Sequence, residues 1–277
     1  MEKFDIILKL EEKKMNIHNE INNDIKFLAK SEIRLKILSE LYAQPNNVRG
    51  LVKKTNITYS SISSNISKLE QNNHIKKINR KYHVNPMSEI YFKTLMDFKN
   101  SVDLISDYDG FWDKHNLNQL SMDSLKNITD LKDSELIETT PLDIYKTHNT
   151  VKEQLMKSKS LKAIFPYLHP EYPQLIENIL KNDGYVELII PKIIYQATIS
   201  QIDLKIRKNA SKTKNLNIYP VDSDLKVYLT ISDGSMSLGL FKNDDSFDQN
   251  RILISEAEKS QKWAENLFET IKGEVIK

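Results

Sequence analysis

The stretch from Thr58 to Tyr82, TYSSISSNISKLEQNNHIKKINRKY, constrains the fold more than any other part of the chain. Its first half places Ile62, Ile66 and Leu69 at i, i+4 and i+7, a spacing that puts all three on one face of a helix. Its second half has two short apolar segments on either side of an Asn-Arg pair, as expected for two strands joined by a turn. The stretch therefore predicts a short amphipathic helix followed at once by a basic hairpin.

The outer face of this helix is built of short hydroxyl side chains, where a solvated helix usually carries Glu and Lys. Short hydroxyls let a nucleic-acid backbone approach closely and can hydrogen-bond phosphates or base edges. We interpret the helix as a recognition helix and the hairpin as a wing; the alternative is an ordinary surface helix and hairpin in a Ser-rich protein. The predicted DNA-binding residues are Tyr59, Ser60, Ser61, Ser63, Ser64, Asn65 and Lys68 on the helix, and Lys76, Lys77, Asn79, Arg80 and Lys81 on the wing.

Arginine is absent from this helix. Strong discrimination between base pairs usually comes from arginine bound through two hydrogen bonds to guanine. We therefore expect moderate sequence specificity, or recognition partly through DNA shape, with much of the affinity coming from the wing and the phosphates.

Charge is distributed unevenly along the chain, although the whole chain carries only +2. Residues 31–85 hold 10 Lys and Arg against 3 Asp and Glu, a net of +7, whereas residues 86–277 hold 24 basic and 29 acidic residues, a net of −5. Residues 1–30 have six of each sign. A basic segment joined to an acidic one is typical of a polyanion-binding module with a separate partner domain.

The elements around the stretch predict a winged helix-turn-helix over residues 31–85. Ser31 is a predicted N-cap of a buried helix that ends before Pro45, and a second helix begins near Asn47 and breaks near Asn56. The recognition helix is the third, and the wing strands follow it.

Two further helical segments flank this module. Residues 1–30 alternate apolar and charged positions at helical spacing and predict an N-terminal helical extension. Pro86 stands where a helix can start, and residues 86–130 are predicted to form connecting and dimerisation helices, with a long amphipathic helix over Met87 to Asp107.

In residues 131–277 short apolar runs alternate with helical stretches and end in a hairpin, which predicts a mixed sheet in a candidate α/β sensor domain. The fold class expected is α+β overall: an N-terminal winged helix-turn-helix joined by a long helix to a C-terminal α/β domain. The apolar runs are Leu136–Ile137, Leu161–Phe165, Val186–Ile190, Leu216–Tyr219, Leu225–Ile231 and Met236–Phe241. The predicted helices are Leu142–Met156, Tyr172–Leu180, Ile193–Ile206 and Ala257–Ile271.

Composition and motifs indicate a protein that is not an enzyme. The chain has no cysteine, and its six glycines form no GxGxxG or GxxxxGK[ST] loop for phosphates. Its six histidines show no HxxxH or HExxH spacing, so we expect no metal site, no cofactor and no catalytic residues. The N-terminus is not a signal peptide, and the most apolar run is interrupted by Pro191 and Lys192, so we expect a cytoplasmic protein without membrane contact.

Several motifs resemble one known family. SEIRLKILSEL and SSNISKLEQNNHI are similar to ArsR- and MarR-type modules, and FWDKHNL, SMSLGLF, DDSFDQN and WAENLF resemble motifs of archaeal, mostly methanogen, winged-helix regulators with a C-terminal methanogenesis-regulatory (filament-regulator) domain. The resemblance spans roughly residues 30–275. It implies a homodimeric transcription regulator with a sensory domain whose ligand is undefined. Two loops depart from the family pattern, at Gln119-Leu120-Ser121 and at Asp245-Ser246. The β–α–β layout is also loosely similar to phospholipase D-like domains, but their His-x-Lys-x4-Asp motif is absent.

Six side chains form a candidate ligand pocket. Three begin the second domain, and three follow the Leu161–Phe165 strand at its carboxyl end, where crevices of α/β sheets collect ligands. The alternative is that the first aromatic pair anchors the core and that the histidines lie in surface loops. The six are Phe111, Trp112, His115, Tyr167, His169 and Tyr172. Trp263 and Phe268, on the last helix, are predicted to be core residues.

Two classes of function follow. The first is a DNA-binding transcriptional regulator that acts on double-stranded DNA as a homodimer and senses a small-molecule effector or a partner. The second is a protein–protein adaptor that keeps the winged helix as a scaffold. The net charge of +7 over residues 31–85 favours the first, because an adaptor has no need to concentrate basic residues there.

Overall fold

A computed structural model describes residues 23–275, so residues 1–22 of the predicted N-terminal extension lie outside the described part. The chain divides into two compact units, Met1–Lys99 and Asn100–Lys277. No helix among the described residues is both long and apolar enough to cross a membrane.

The first unit has the predicted order of a winged helix-turn-helix. Side chains cap its three central helices: Ser31 accepts from the Arg34 amide, Asn47 from the Gly50 amide and Thr58 from the Ser61 amide. The elements are α1 (Asn23–Ala29), α2 (Glu32–Ala43), α3 (Val48–Thr55), α4 (Tyr59–Gln71), β1 (Ile75–Ile78), β2 (Lys81–Val84) and α5 (Pro86–Asp107), which continues into the second unit.

The core of the first unit forms where α2, α3 and α4 pack together. Helix α4 contributes Ile62, Ile66 and Leu69, the three residues that the helical spacing predicted to share a face, and each is at most 2% exposed. Burial of this face determines which side of α4 points outward, because most residues between the three buried ones are left on the surface.

The wing is an antiparallel pair of strands, with Ile75 opposite Val84 and Ile78 opposite Lys81. Asn79 and Arg80 form its turn with φ of 48° and 66°. Positive φ at both central residues gives a turn whose twist matches the right-handed twist of the flanking strands. Asparagine tolerates a positive φ better than most residues. The predicted strand pairing is confirmed.

The second unit contains a seven-stranded mixed sheet in the order β3-β9-β8-β7-β4-β5-β6. Strands β4, β5 and β6 are parallel, and β7, β8, β9 and β3 continue the sheet antiparallel. The elements are α6 (Asp109–Trp112), α7 (Met122–Lys126), a 3-10 turn (Ile128–Leu131), β3 (Glu135–Glu138), α8 (Lys146–Met156), β4 (Ser160–Ile164), α9 (Tyr172–Lys181), β5 (Tyr185–Pro191), α10 (Lys192–Ser200), α11 (Leu204–Thr213), β6 (Leu216–Val221), β7 (Val227–Ser232), β8 (Ser235–Leu240), β9 (Arg251–Ser255) and α12 (Glu258–Val275). The mixed sheet predicted for residues 131–277 is confirmed, and the compact unit that contains it begins earlier, at Asn100.

Each face of this sheet has its own hydrophobic cluster. One cluster joins residues such as Leu229 and Leu253 to α12, where the predicted core residues Trp263 and Phe268 are fully or almost fully buried. The other joins alternate positions of the same strands, such as Leu188, to α8 and α9. Side chains of successive strand residues point to opposite faces, so the continuous apolar runs reflect a sheet covered on both sides.

The predictions for the second unit were wrong in three places. The helix predicted from Leu142 begins at Lys146, because Thr140 and Asp143 pair in a turn that leaves Leu142 exposed. The stretch Ile193–Ile206 is two helices, since Asp203 caps a new one, α11. Strand β9 was not predicted at all, and it pairs with both β3 and β8.

Candidate nucleic-acid interface and ligand cavity

The outward face of α4 carries the predicted hydroxyl groups. Tyr59 is 59% exposed, and Ser60, Ser63, Ser64 and Lys68 are exposed as well. Ser60, Ser64 and Lys68 lie opposite the buried isoleucine and leucine face, whereas Tyr59 stands at the N-terminal end of the helix on the side of that face. The first two turns of α4 therefore offer small polar groups to solvent.

Two predicted helix residues are instead partly occupied within the helix. Ser61 is half-buried, and its hydroxyl accepts a hydrogen bond from the Thr58 hydroxyl at 3.0 Å. The Asn65 side-chain amide donates to the Ser61 backbone carbonyl at 2.9 Å. These bonds hold both side chains along the helix, and each side chain keeps hydrogen-bonding capacity for a further partner.

The wing presents its basic side chains to solvent. Lys76, Lys77, Arg80 and Lys81 are exposed. Among residues 23–275, none of these four forms an ion pair with an acidic side chain. The Lys77 ammonium lies 5.4 Å from the centre of the Tyr82 ring. The wing therefore carries positive charge that is not neutralised within the described part of the chain.

A cavity of about 540 Å³ lies in the second unit. It opens where the loop after β4 meets the start of α8 and the segment before β9. Three of the six predicted pocket residues line it, namely Tyr167, His169 and Tyr172. This is the position that the carboxyl-end rule for α/β sheets indicated.

The floor of the cavity is a cluster of aromatic rings. Tyr167, Tyr172 and Tyr228 have ring centres 6.1 to 6.3 Å apart, and Phe247 packs on Tyr167 at 4.7 Å. Burial raises the pKa of each of the three phenols above the ordinary value, so they stay protonated. Tyr228 lies deepest in this cluster, at 2% exposure. The floor therefore offers neutral hydroxyl groups.

The other three predicted pocket residues lie in the core instead of the cavity wall. Phe111 is 0% exposed and Trp112 is 5% exposed, and the two rings pack edge to face with centres 5.0 Å apart. The Trp112 indole N–H donates to the Leu104 carbonyl at 3.3 Å. The alternative interpretation of this pair as core anchors is the one that the structure supports.

His115 is buried with a role that the sequence did not reveal. Its Nδ1 contacts the Phe111 carbonyl, and its Nε2 lies 3.1 Å from a carboxylate oxygen of buried Asp248. Asp248 lines the cavity and also accepts from the Asn250 amide at 3.0 Å. His115 therefore supports a cavity wall from behind without lining it.

A polar cluster at the cavity rim was also missed. His148 and His169 stack with ring centres 3.9 Å apart, and Glu171 binds His148 at 2.5 Å and Lys152 at 2.6 Å. Hydrogen bonds from Lys152 and His148 lower the pKa of Glu171 to about 2. Burial and the neighbouring His148 lower the pKa of His169. Residues 148 and 169 are too far apart in sequence for a spacing motif, so no sequence signal marked this cluster.

Comparison with known protein families identifies the chain. Residues 22–103 match the N-terminal domain of methanogenesis regulatory protein FilR1, and residues 144–274 match the middle domain of the same family. The chain belongs to the FilR1 family. The resemblance seen in the sequence motifs is thereby confirmed.

One curated relative is methanogenesis regulatory protein FilR1 of Methanothrix harundinacea (strain 6Ac), which is 23% identical over 254 residues. The match covers 88% of this chain and 56% of that protein, so the chain spans about half the length of its curated FilR1 relative.

The solved structures that match this chain do so with low similarity. An archaeal chromatin protein, TrmBL2, described as showing a novel mode of DNA binding, matches with a TM-score of 0.40 and 10% identity, over 91% of this chain and 97% of that one. An IclR transcriptional regulator from Alicyclobacillus acidocaldarius matches with a TM-score of 0.23 and 9% identity, over 87% and 94%. At these scores the likeness supports no inference about the function of this FilR1-family chain.

Proposed function

We propose that the chain is a DNA-binding transcriptional regulator in which the outer face of α4 enters the major groove and the wing contacts phosphates. The observation that carries this proposal is the cluster of four exposed wing cations without acidic partners among the described residues, next to the hydroxyl face of α4. Such cations bind a polyanion without first breaking an internal ion pair. Short hydroxyls on the neighbouring helix allow close approach to a groove.

The side chains of α4 and of the wing differ, so the two elements contribute differently to binding. Ser60, Ser63 and Ser64 can hydrogen-bond phosphates or base edges, but a serine hydroxyl discriminates weakly between bases. Lys76, Lys77, Arg80 and Lys81 neutralise phosphates and so supply affinity that depends on salt. Arg80, at the tip of the wing, can in addition reach a minor groove. The proposal thus combines salt-dependent affinity with modest specificity.

A homodimer is part of this proposal. Helix α5 exposes Met87, Tyr91, Phe98 and Ile105, which follow one another at intervals of four and seven residues and are 39% to 66% exposed. An apolar stripe at this spacing suits pairing with the same helix of a second copy. Two recognition helices in a dimer would read half-sites about one helical turn, roughly 34 Å, apart.

The proposal also includes the binding of an effector by the second unit. The aromatic cavity with Tyr167, His169 and Tyr172 on its wall has the size and lining of a small-molecule site. A ligand that prefers one arrangement of a dimer would shift its population towards that arrangement. A melting-temperature screen with cell metabolites tests this part, because a ligand selective for the folded protein stabilises it.

Binding of the full chain to a duplex from its own upstream region, measured at 50 mM and 200 mM monovalent salt, tests the main proposal. We expect binding at low salt that weakens steeply at the higher concentration, with a preference over an unrelated duplex of equal length. An adaptor would not bind either duplex at low salt, and that result would contradict the proposal.

A single change tests the wing. Arg80→Ala should weaken binding and reduce the slope of log affinity against log salt by about one unit, because one phosphate contact is lost. Lys212→Ala, which removes an exposed cation from α11 in the second unit, is the matched control and should leave the slope unchanged. An unchanged slope and affinity for Arg80→Ala would remove the wing tip from the interface.

A further inference from the structure

Three side chains that are typical metal ligands converge at the rim of the cavity. His148 lies in the first turn of α8, whereas His169 and Glu171 lie in the loop that leads into α9. One ligand atom from each residue lies within 4.8 Å of the other two. Two imidazoles and one carboxylate at this separation need only small side-chain movements to share one ion, since metal–ligand bonds of about 2.1 Å place neighbouring donors roughly 3 to 4 Å apart.

The surroundings hold these donors in place. Glu171 Oε2 lies 2.5 Å from His148 Nε2, and the Glu171 amide donates to His169 Nδ1 at 3.3 Å. The stacked imidazoles restrict one another. An ion at His169 would replace the long amide contact or bind the other ring nitrogen. The side chains remain accessible, with His148 at 21% and Glu171 at 37% exposed.

Lys152 is the cation that forms an ion pair with Glu171 in this structure. Its ammonium lies 2.6 Å from Glu171 Oε1, and its side chain is 34% exposed, so it can turn into water when another cation binds. An ammonium makes only hydrogen bonds and an ion pair with the carboxylate, whereas a transition-metal ion also forms coordinate bonds with both imidazoles. Lys152 is therefore a competitor that lowers the affinity of the site for metal ions.

We propose that His148, His169 and Glu171 bind one divalent transition-metal ion at the mouth of the cavity. Two nitrogen donors select zinc, nickel or cobalt over magnesium and calcium, which prefer oxygen ligands. Three protein ligands leave at least one coordination position open. Because both histidines line the cavity, a donor atom of a small molecule inside it can take that position. This proposal is independent of DNA binding.

Calorimetric titration of the full, untagged chain with zinc and nickel in metal-free buffer tests the proposal. We expect one ion per chain and no saturable binding of magnesium. His148→Ala and His169→Ala should each weaken zinc binding by at least about tenfold, which corresponds to about 1.4 kcal/mol. His83→Ala, which removes a histidine from the wing, is the matched control and should bind zinc as the parent does.

Lys152→Gln distinguishes the proposed site from nonspecific binding to surface histidines. Removal of the competing ammonium should strengthen zinc binding severalfold, the opposite direction to the histidine variants. Circular dichroism checks that each variant is folded. Equal zinc affinity in the parent, His148→Ala and His169→Ala would overturn the proposal, as would weaker binding by Lys152→Gln. A cobalt absorption spectrum that is unchanged in His148→Ala would do the same.

Discussion

Replacement of Lys76, Lys77, Arg80 and Lys81 by alanine should lower the affinity for duplex DNA by on the order of a thousandfold at 0.1 M monovalent salt. Each phosphate contact contributes about 0.9 to the slope of log affinity against log salt, so four contacts account for between three and four units. At 0.1 M salt, the counterions released by each phosphate contact raise the affinity by nearly a factor of ten relative to 1 M salt. The fold should survive, since all four side chains are exposed.

Fluorescence anisotropy with a labelled duplex over a range of salt concentrations measures this effect. The matched control replaces four exposed lysines of the second unit by alanine: Lys205, Lys208, Lys212 and Lys259. This control changes the net charge by the same amount, and its salt slope should equal that of the parent. Equal losses in both variants would mean that net charge, and not the wing, determines affinity.

Phe111→Ala should destabilise the second unit by about 3 to 5 kcal/mol, the usual cost of removing a large buried aromatic side chain. Phe111 is 0% exposed and packs on Trp112 and His115, with ring centres 5.0 and 4.9 Å away. The substitution opens a cavity next to the buried His115–Asp248 pair. The effect should therefore appear in stability with no ligand present, as expected for a core residue.

Denaturant unfolding followed by tryptophan fluorescence measures this loss, because both tryptophans, Trp112 and Trp263, belong to the second unit. Tyr145→Ala is the control: this aromatic side chain is 64% exposed at the cavity mouth, and its removal should change the free energy of unfolding by no more than about 0.5 kcal/mol. A loss below about 1 kcal/mol for Phe111→Ala would contradict the assignment of Phe111 to the core.

The first unit could be predicted from the sequence because its signals are local. Ser31, Asn47 and Thr58 cap helices within three residues of their partners. The face formed by Ile62, Ile66 and Leu69 is set by helical spacing, and the Asn79-Arg80 turn sets the strand register. The sequence did not reveal that the side chains of Ser61 and Asn65 form hydrogen bonds within their own helix and its cap. Such bonds compete with contacts to other molecules, and composition alone does not show them.

The second unit was harder to predict because its determinants are distant in sequence. Strand β9 is short and follows a turn-rich segment, and it is stabilised by pairing with β3, more than 100 residues earlier. The His115–Asp248 pair likewise joins positions 133 residues apart. The carboxyl-end rule for α/β sheets predicted a crevice at Tyr167, His169 and Tyr172, and these three side chains line the cavity. A spacing rule for histidines failed to reveal the cluster of His148, His169 and Glu171, because only the fold brings them together.

Hydrogen exchange of the full chain, with and without a duplex from its own upstream region, tests the central claim most directly. The account predicts slower exchange of backbone amides in residues 59–65 and 76–82 when DNA is bound, at a salt concentration where binding is complete. Amides of the seven-stranded sheet should exchange at the same rate in both states. DNA-dependent protection confined to the second unit, or no change in residues 59–65 and 76–82, would contradict it.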